Sequence, residues 1–240
     1  MTGLNAHNRW LLVAALTFSV AGCEQESPSM IAQYPSPMAE GVRAHERIPD
    51  QLAKGDTLSV AAVLNRRVQV LVPETPAGQG LLIHFHGAAY VPFAVTGYVV
   101  ASVNLGSGSG AYERPFADSE VFPALLGALE SATARKFDQV TLSGWSAGYE
   151  SIRAILRQHP DRIVNVVLLD GLHTDYVPDR MTLFEGGQLN AEKLEPFVAF
   201  ARQAAAGNRH MTLTHSEIFP GTYASTTETA TFVAAQLGLE

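Results

Sequence analysis

The stretch DQVTLSGWSAGYESIRAILRQHP, residues 138–160, decides the fold, because it sets Ser146 inside a Gly-x-Ser-x-Gly motif. Residues 140–143 before the motif are typical of a strand. After it, apolar residues recur on one face of a helix, at Ile152, Ile155 and Leu156. A sharp turn between a strand and a helix presents the serine hydroxyl above a sheet edge. The pattern predicts Ser146 as a nucleophile, with the Ala147 N–H facing the developing oxyanion; a structural glycine/serine turn is the alternative.

Segments with strand and helix character alternate along the rest of the chain. Strands are expected in residues 58–74 (two, around the Asn65-Arg66 turn), 80–87, 97–110 (closed by a glycine/serine loop), 162–170 and 210–217. Helices are expected in 117–132 (capped by Asp118 or Ser119), 195–207 and 225–238, the last opening on a Ser225-x-x-Glu228 capping box. The near-continuous apolar run RIVNVVLLD indicates a strand buried on both faces. This alternation predicts an α/β three-layer sandwich, a mostly parallel sheet with helices on both faces.

A second motif lies in LLIHFHGAAY, residues 81–90, where His86-Gly87 closes the third expected strand. Together with the serine motif it resembles the α/β-hydrolase superfamily over roughly residues 58–240. The resemblance implies an oxyanion hole built around Gly87 from the N–H groups of Ala88 and Ala147. His84 and His86 would share one face of a strand, as a metal pair could. No third ligand accompanies them at a suggestive spacing, so we expect no metal and assign His86 to orienting the oxyanion loop.

Two residues could be the acid that a nucleophilic serine needs. Asp170 ends the strand RIVNVVLLD, and Glu217 follows the next strand, where the superfamily more usually keeps its acid. Catalytic groups gather at the carboxyl ends of parallel strands. We favour Asp170 because it follows the more buried strand and would be better sheltered, although a loop-capping aspartate is the plainer interpretation.

The base is harder to find, because the superfamily keeps its histidine in a loop after a further strand. Within the chain, His215 and His173 lie where loops should leave the active edge of the sheet, and we select His215. His210 should begin a strand at the opposite edge, and His159 ends the helix after the motif. The competing explanation is a domain truncated at its C-terminus that lacks the last strand and its histidine loop, and it is the explanation that we favour.

The N-terminus carries features of export rather than of the fold. Residues 1–22 have Arg9 before a short apolar run, as in a signal peptide. The run ends in Val20-Ala21-Gly22-Cys23, which resembles the lipobox of bacterial lipoproteins and implies lipidation of Cys23. Residues 23–56 are rich in Pro, Ser, Glu and Gln, as expected of a tether. We therefore expect a protein anchored by lipid to a membrane of the bacterial cell envelope, with residues 57–240 as its single domain.

Composition narrows the classes of function. The chain of 240 residues has a formal net charge of −7, and 47% of it is hydrophobic. That is ordinary globular composition, and the acidic balance without a Lys/Arg cluster argues against nucleic-acid binding. Cys23 is the single cysteine, so an intramolecular disulfide is excluded.

The leading hypothesis is a serine hydrolase that cleaves an ester or related acyl bond of a small molecule without a cofactor. A lipid-anchored binding protein that keeps the hydrolase scaffold without turnover is the alternative, and a metal-dependent hydrolase using His84 and His86 is a third. The sequence after the sixth strand contains no insertion long enough to suggest a large lid over the site.

Overall fold

The computed structural model describes residues 52–61, 64–74 and 80–239. The predicted signal peptide, Cys23 and most of the predicted tether lie outside these residues. Within the described part of the predicted tether, the Ala53 N–H donates to the Phe93 carbonyl at 2.9 Å. Among the described helices, none combines the length and apolar character required to cross a membrane.

The central sheet has seven strands. They are β1 (Gly55–Ala61), β2 (Arg67–Pro73), β3 (Gly80–Phe85), β4 (Val99–Val103), β5 (Gln139–Trp145), β6 (Ile163–Leu169) and β9 (His210–Thr214). Two short strands, β7 (Tyr176–Val177) and β8 (Gln188–Leu189), form a separate antiparallel hairpin.

The strand order is β1-β2-β4-β3-β5-β6-β9. The first two strands pair antiparallel, and β2 also runs antiparallel to β4. From β4 to β9 every pair is parallel. All of these parallel strands therefore end at one edge of the sheet, where the loops after them can bring reactive side chains together.

Six α-helices lie between and after these strands in the described part of the chain. They are α1 (Tyr90–Phe93), α2 (Ser109–Phe116), α3 (Val121–Thr133), α4 (Tyr149–Gln158), α5 (Ala191–Ala205) and α6 (Thr226–Gln236). Buried residues of α2 to α6 join one core with alternate residues of the sheet, such as Leu81, Ile83 and Leu142. The intervening residues point to the other face, where Leu71, Leu82 and Val100 form a smaller cluster with Phe93 of α1. The predicted α/β fold with a mostly parallel sheet and helices on both faces is confirmed.

The second face of the sheet is covered less completely than the sequence indicated. Strand β6 was expected to be buried on both sides, but Asn165, Val167 and Leu169 keep part of their surface accessible. They line a cavity of about 470 Å³ that the neighbouring strands and α1 also border. The four-residue helix α1 packs its Phe93 against Leu71, Leu82 and Val100 of β2, β3 and β4, and between α1 and β6 the cavity stays open.

Three local predictions differ from the structure. The expected glycine/serine loop after β4 gives way to helix α2, which begins at Ser109. Helix α3 has Glu120 at its N-cap without a side-chain cap, while the Asp118 carboxylate accepts from the Glu120 N–H at 2.9 Å. Helix α5 begins earlier than expected, at Ala191. The Ser225–Glu228 capping box of α6 is present as predicted.

A buried ion pair lies within α4, beside the contact of this helix with α2. Arg153 and Glu150, one turn apart on α4, pair through Nη2 and Oε2, and both side chains are almost completely buried. The same guanidinium lies 3.4 Å from the Glu113 carboxylate of α2. Desolvation raises the pKa of Glu150, and the Arg153 charge counteracts part of that rise. Because both charges are out of water, each depends on the other for compensation.

We expect Arg153→Met to destabilise the fold by about 3–5 kcal/mol, because it leaves the Glu150 carboxylate buried without its partner. The matched control is the double variant Glu150→Met with Arg153→Met, which removes both charges and should recover most of the loss. Urea denaturation measures both.

The pH dependence of the single variant gives a further check. Without Arg153 the pKa of Glu150 rises further, so the folded state binds a proton at pH values where the unfolded state does not. The single variant should therefore gain stability as the pH falls towards the ordinary carboxyl value of about 4.3. Equal stabilities of the single and double variants would contradict this account.

Candidate active site

The turn after β5 has the geometry that the serine motif predicts. Ser146 is half-buried and adopts a φ of 43°, a left-handed conformation that a non-glycine residue rarely takes. The turn packs closely against β3, because a Cβ on Gly148 would lie 2.2 Å from the Phe85 carbonyl oxygen. A Cβ on Gly144 would likewise come within 3.0 Å of the Ile152 side chain. Glycine at both positions therefore lets strand, turn and helix approach closely enough to hold Ser146 at the edge of the sheet.

The loop after β3 is held beside this turn. His86 and Gly87 have φ values of 73° and 99°, so the chain leaves the strand sharply. The Gly87 carbonyl accepts from the Asn104 side-chain amide at 3.1 Å. A Cβ on Gly87 would lie 3.1 Å from the Trp145 ring, so this loop touches the residue that precedes Ser146. Ala88 at its tip is exposed, whereas Ala147 is buried. Their roles as oxyanion donors stay predictions.

His86 is fixed by contacts on both sides of its ring. Its Nδ1 lies 3.1 Å from the Gly106 carbonyl and 2.9 Å from the Tyr112 hydroxyl. The imidazole stacks on Trp145 with ring centroids 5.3 Å apart. Burial lowers its pKa, and the bond to Gly106 offsets part of that effect. A neutral ring that holds the loop against the turn fits the orienting role expected for His86.

His86 follows the last residue of β3 with a positive φ, so it lies outside the regular strand that carries His84. The Nδ1 of His84 lies 3.0 Å from the Ser143 hydroxyl of β5. Burial lowers its pKa to about 4. Across the described residues, no group of three or more His, Cys, Asp and Glu side chains is arranged to hold a metal ion.

Asp170 lies at the same sheet edge, directly beside the turn. It follows β6 with a φ of 45°, and a Cβ on the next residue, Gly171, would be only 2.8 Å from the Ser146 backbone nitrogen. The Asp170 Oδ1 accepts from the Ser216 N–H at 2.9 Å and from the Thr226 hydroxyl at 2.6 Å. The carboxylate thus joins β6 to the loop that follows β9. Glu217, the alternative acid, is exposed on that loop.

The two candidate histidines differ in environment. His215 is exposed, and its Nδ1 lies 3.1 Å from the Thr227 hydroxyl. His173 is partly buried, and its Nδ1 lies 3.0 Å from the Ala224 carbonyl. Because a carbonyl only accepts, Nδ1 of His173 carries the proton and Nε2 keeps the lone pair that a base requires. Burial lowers the pKa of His173, while Ala224 and the Asp170 charge offset part of that effect.

Aromatic rings further restrict the His173 imidazole. Tyr149, on the first turn of α4, meets it edge-on at 5.6 Å, and Tyr223 does so at 5.0 Å.

The other two candidate histidines lie away from the turn. His210 begins β9 at the opposite edge of the sheet, and His159 follows α4, where its Nε2 lies 2.8 Å from the Ser119 carbonyl. Among the described side chains, no hydrogen bond joins the Ser146 hydroxyl to a histidine, nor Asp170 to His215.

Asn104 and Tyr112 are site residues that the sequence analysis missed. The Tyr112 hydroxyl accepts from the Leu105 N–H at 3.1 Å and lies 3.2 Å from the Asn104 side-chain oxygen, so both residues brace the loop that carries Gly87. Asn104 could have been found, since it directly follows β4 at the edge where the parallel strands end. Tyr112 gives no such signal, because the sequence predicts no helix over residues 111–116.

Comparison with known proteins shows a structural likeness. The sequence matches no protein-family model and no curated protein. The ferric enterobactin esterase of Salmonella typhimurium superposes with a TM-score of 0.51 at 15% identity, over 79% of this chain and 52% of that one. The enterobactin esterase of Shigella flexneri gives 0.50 at 14% identity, over 79% and 53%. This chain thus spans about half the length of these two esterases. The likeness shows an α/β-hydrolase-like fold.

We expect Gly171→Ala to displace the turn that carries Ser146, because the added methyl group would meet the Ser146 backbone at 2.8 Å. Overpacking of this kind costs about 1–3 kcal/mol, measured as a lower midpoint in urea. Gly127→Ala is the matched control, since a Cβ there meets nothing within 4 Å on helix α3. It should stabilise the protein by up to about 1 kcal/mol. Equal effects of the two substitutions would show that the loop after β6 does not press on the turn.

Proposed function

We propose that this protein is a serine hydrolase that cleaves an ester or related acyl bond of a small molecule. The observation that carries the proposal is the Ser146 backbone, held at a φ of 43° between β5 and α4. Such a conformation costs on the order of 1–3 kcal/mol and is kept where a turn must present a nucleophile. Two structural neighbours are named as esterases, which makes an ester the first bond to test.

In the proposed reaction, the Ser146 Oγ attacks the carbonyl carbon of the substrate while a histidine takes the hydroxyl proton. The N–H groups of Ala147 and Ala88 would then stabilise the negative oxygen of the tetrahedral intermediate. When that intermediate collapses, the alcohol leaves with the proton returned by the histidine. Water next attacks the acyl-enzyme by the same route, which releases the acid and restores Ser146.

For the base, the geometry favours His173 over His215, the histidine that the sequence position favours. The Nδ1 of His173 donates its proton to the Ala224 carbonyl, and Tyr149 and Tyr223 restrict the His173 ring. Its loop crosses the turn at Gly171, whereas His215 is exposed. The carboxylate of Asp170 would stabilise the imidazolium through space, since it favours the protonated form of His173.

We expect Ser146→Ala to lower kcat for p-nitrophenyl acetate by about 10³-fold or more, because the acyl-enzyme can no longer form. His173→Gln should cause a loss of similar size, and His215→Gln should leave the rate near that of the native protein. All three are compared in one spectrophotometric assay, with unfolding midpoints as the control for folding. The opposite order of the two histidine variants would assign the base to His215, and full activity of Ser146→Ala would refute the nucleophile.

The pH dependence gives a second test of the base. The neutral imidazole is the active form, so kcat/KM should rise with pH as the base loses its proton. Burial lowers the pKa of His173, so that rise should lie below the ordinary histidine value of about 6.5. Rates measured from about pH 4 to about pH 8 locate it. A midpoint at or above the ordinary value would contradict His173 as the base.

The second candidate function is a binding protein that keeps the scaffold without turnover. It is favoured by one observation, that no hydrogen bond joins the described Ser146 and histidine side chains. This function would take the lead if the folded protein did not hydrolyse p-nitrophenyl acetate and Ser146→Ala left that result unchanged.

Export and anchoring are part of the same proposal. The apolar run before Val20-Ala21-Gly22-Cys23 supports removal of a signal peptide and lipidation of Cys23. The enzyme would then act on small acyl substrates from a membrane surface of the bacterial cell envelope. Labelling of growing cells with radioactive palmitate tests the anchor, since Cys23→Ser should abolish incorporation.

A further inference from the structure

The hairpin between β6 and α5 presents apolar side chains to water. Strands β7 and β8 pair antiparallel and enclose residues 178–187. Phe184 is 99% exposed, and it has three partly exposed apolar neighbours, Val177, Met181 and Leu183, at 50%, 40% and 43%. We call these four residues the apolar tip. Lone exposed apolar residues are ordinary, but four within one short hairpin indicate a surface that contacts something other than water.

The apolar tip is held by a well-ordered turn. Leu183–Glu185 form a 3₁₀ helix whose capping box joins Thr182 and Glu185 in both directions. The Gly187 N–H donates to the Thr182 carbonyl at 2.9 Å, which closes the loop on itself. A Cβ on Gly187 would collide with the Met181 carbonyl at 1.8 Å, so the two sides of the loop touch. The fold therefore holds Phe184 outward rather than leaving it free to turn back onto the protein.

The base of the hairpin is tied to the body of the fold. Tyr176 is buried, and its hydroxyl donates to the Glu228 carboxylate of α6 at 2.8 Å. The Asn190 N–H donates to the Asp175 carbonyl at 2.9 Å, and the Asp175 carboxylate pairs with Lys193 of α5. The hairpin is thus attached through side-chain contacts to two helices of the domain, α5 and α6.

The charges and shape of the tip indicate a lipid surface as its partner. Of the charged residues there, Asp179 and Arg180 lie 3.9 Å apart as a pair, and Glu185 is engaged by Thr182. The chain as a whole carries −7, which disfavours attraction to anionic headgroups. A single projecting turn is also far smaller than the patch of about 800 Å² that a stable protein partner buries. The apolar run and Cys23 of the sequence separately point to a bilayer.

We infer that the apolar tip is a second, non-covalent membrane contact that inserts Phe184 and Leu183 into the interface of an uncharged lipid surface. Interfacial side chains reach about 5–10 Å into the boundary between headgroups and acyl chains. A lipid on Cys23 would hold the chain at the membrane, and the tip would fix which side of the domain faces it. This role is independent of catalysis at Ser146.

The test uses the chain from Glu24 onward, which keeps every described element and lacks Cys23 and the apolar run. Sedimentation with phosphatidylcholine vesicles should show binding that Phe184→Ser weakens by roughly tenfold or more, since one buried aromatic side chain is removed. Leu239→Ser is the matched control, because Leu239 is also exposed, at 59%, but lies outside the hairpin. It should leave vesicle binding unchanged.

A fluorescent variant reports where the tip goes. Phe184→Trp keeps an aromatic ring, and its added emission should shift to shorter wavelength when phosphatidylcholine vesicles are present. The inference is overturned if the native chain does not bind these vesicles, or if Phe184→Ser binds as well as Leu239→Ser. It is also overturned if binding requires phosphatidylserine and is lost in salt, because that would be an electrostatic contact.

Discussion

The close approach of Gly148 to the backbone of Phe85 is the constraint on which the site depends. No side chain fits between the turn after β5 and the end of β3, so the chain passes at backbone contact distance. That contact leaves Ser146 with a positive φ and starts α4 immediately behind it. The Arg153 guanidinium, which pairs with Glu150 inside α4, also lies against the Glu113 carboxylate of α2. Strain at one residue is thus maintained by packing and charge contacts around it.

The loops at the sheet edge are held by hydrogen bonds from groups that do not themselves react. Asn104 and Tyr112 fix the loop that carries Gly87, and His86 joins this loop to Trp145. On the other side of Ser146, the Asp170 carboxylate joins β6 to the loop after β9. Such preorganisation is what an oxyanion hole requires, because donors that are already aligned need no rearrangement when charge develops. It would equally suit a binding cleft, and measured turnover distinguishes the two.

The sequence predicts the fold well where local pattern and tertiary contact agree. The glycine spacing around Ser146 and the capping box at Ser225 are local signals, and both appear in the structure as expected. Helix α2 was missed because its first residues, rich in glycine and serine, have low helix propensity and owe their helix to the burial of Tyr112 and Phe116. The β7–β8 hairpin was missed because each strand has two residues, too few for an alternating pattern. Such elements depend on contacts with distant residues.

The sequence does not decide between the two candidate histidines, for a related reason. His173 and His215 both follow strands that end at the active edge, so their positions in the sequence do not separate them. The separation comes from Ala224, Tyr149 and Tyr223, which lie far from His173 along the chain and meet it only in the folded protein.

The central claim is that the turn after β5 presents Ser146 as an activated nucleophile. Its most direct test is to treat the folded chain from Glu24 onward with a fluorophosphonate and read the intact mass, with peptide mapping to locate the adduct. The account predicts one adduct per chain, on Ser146, formed much faster than on denatured protein. No adduct on the folded chain, or an adduct that persists in Ser146→Ala, would contradict it.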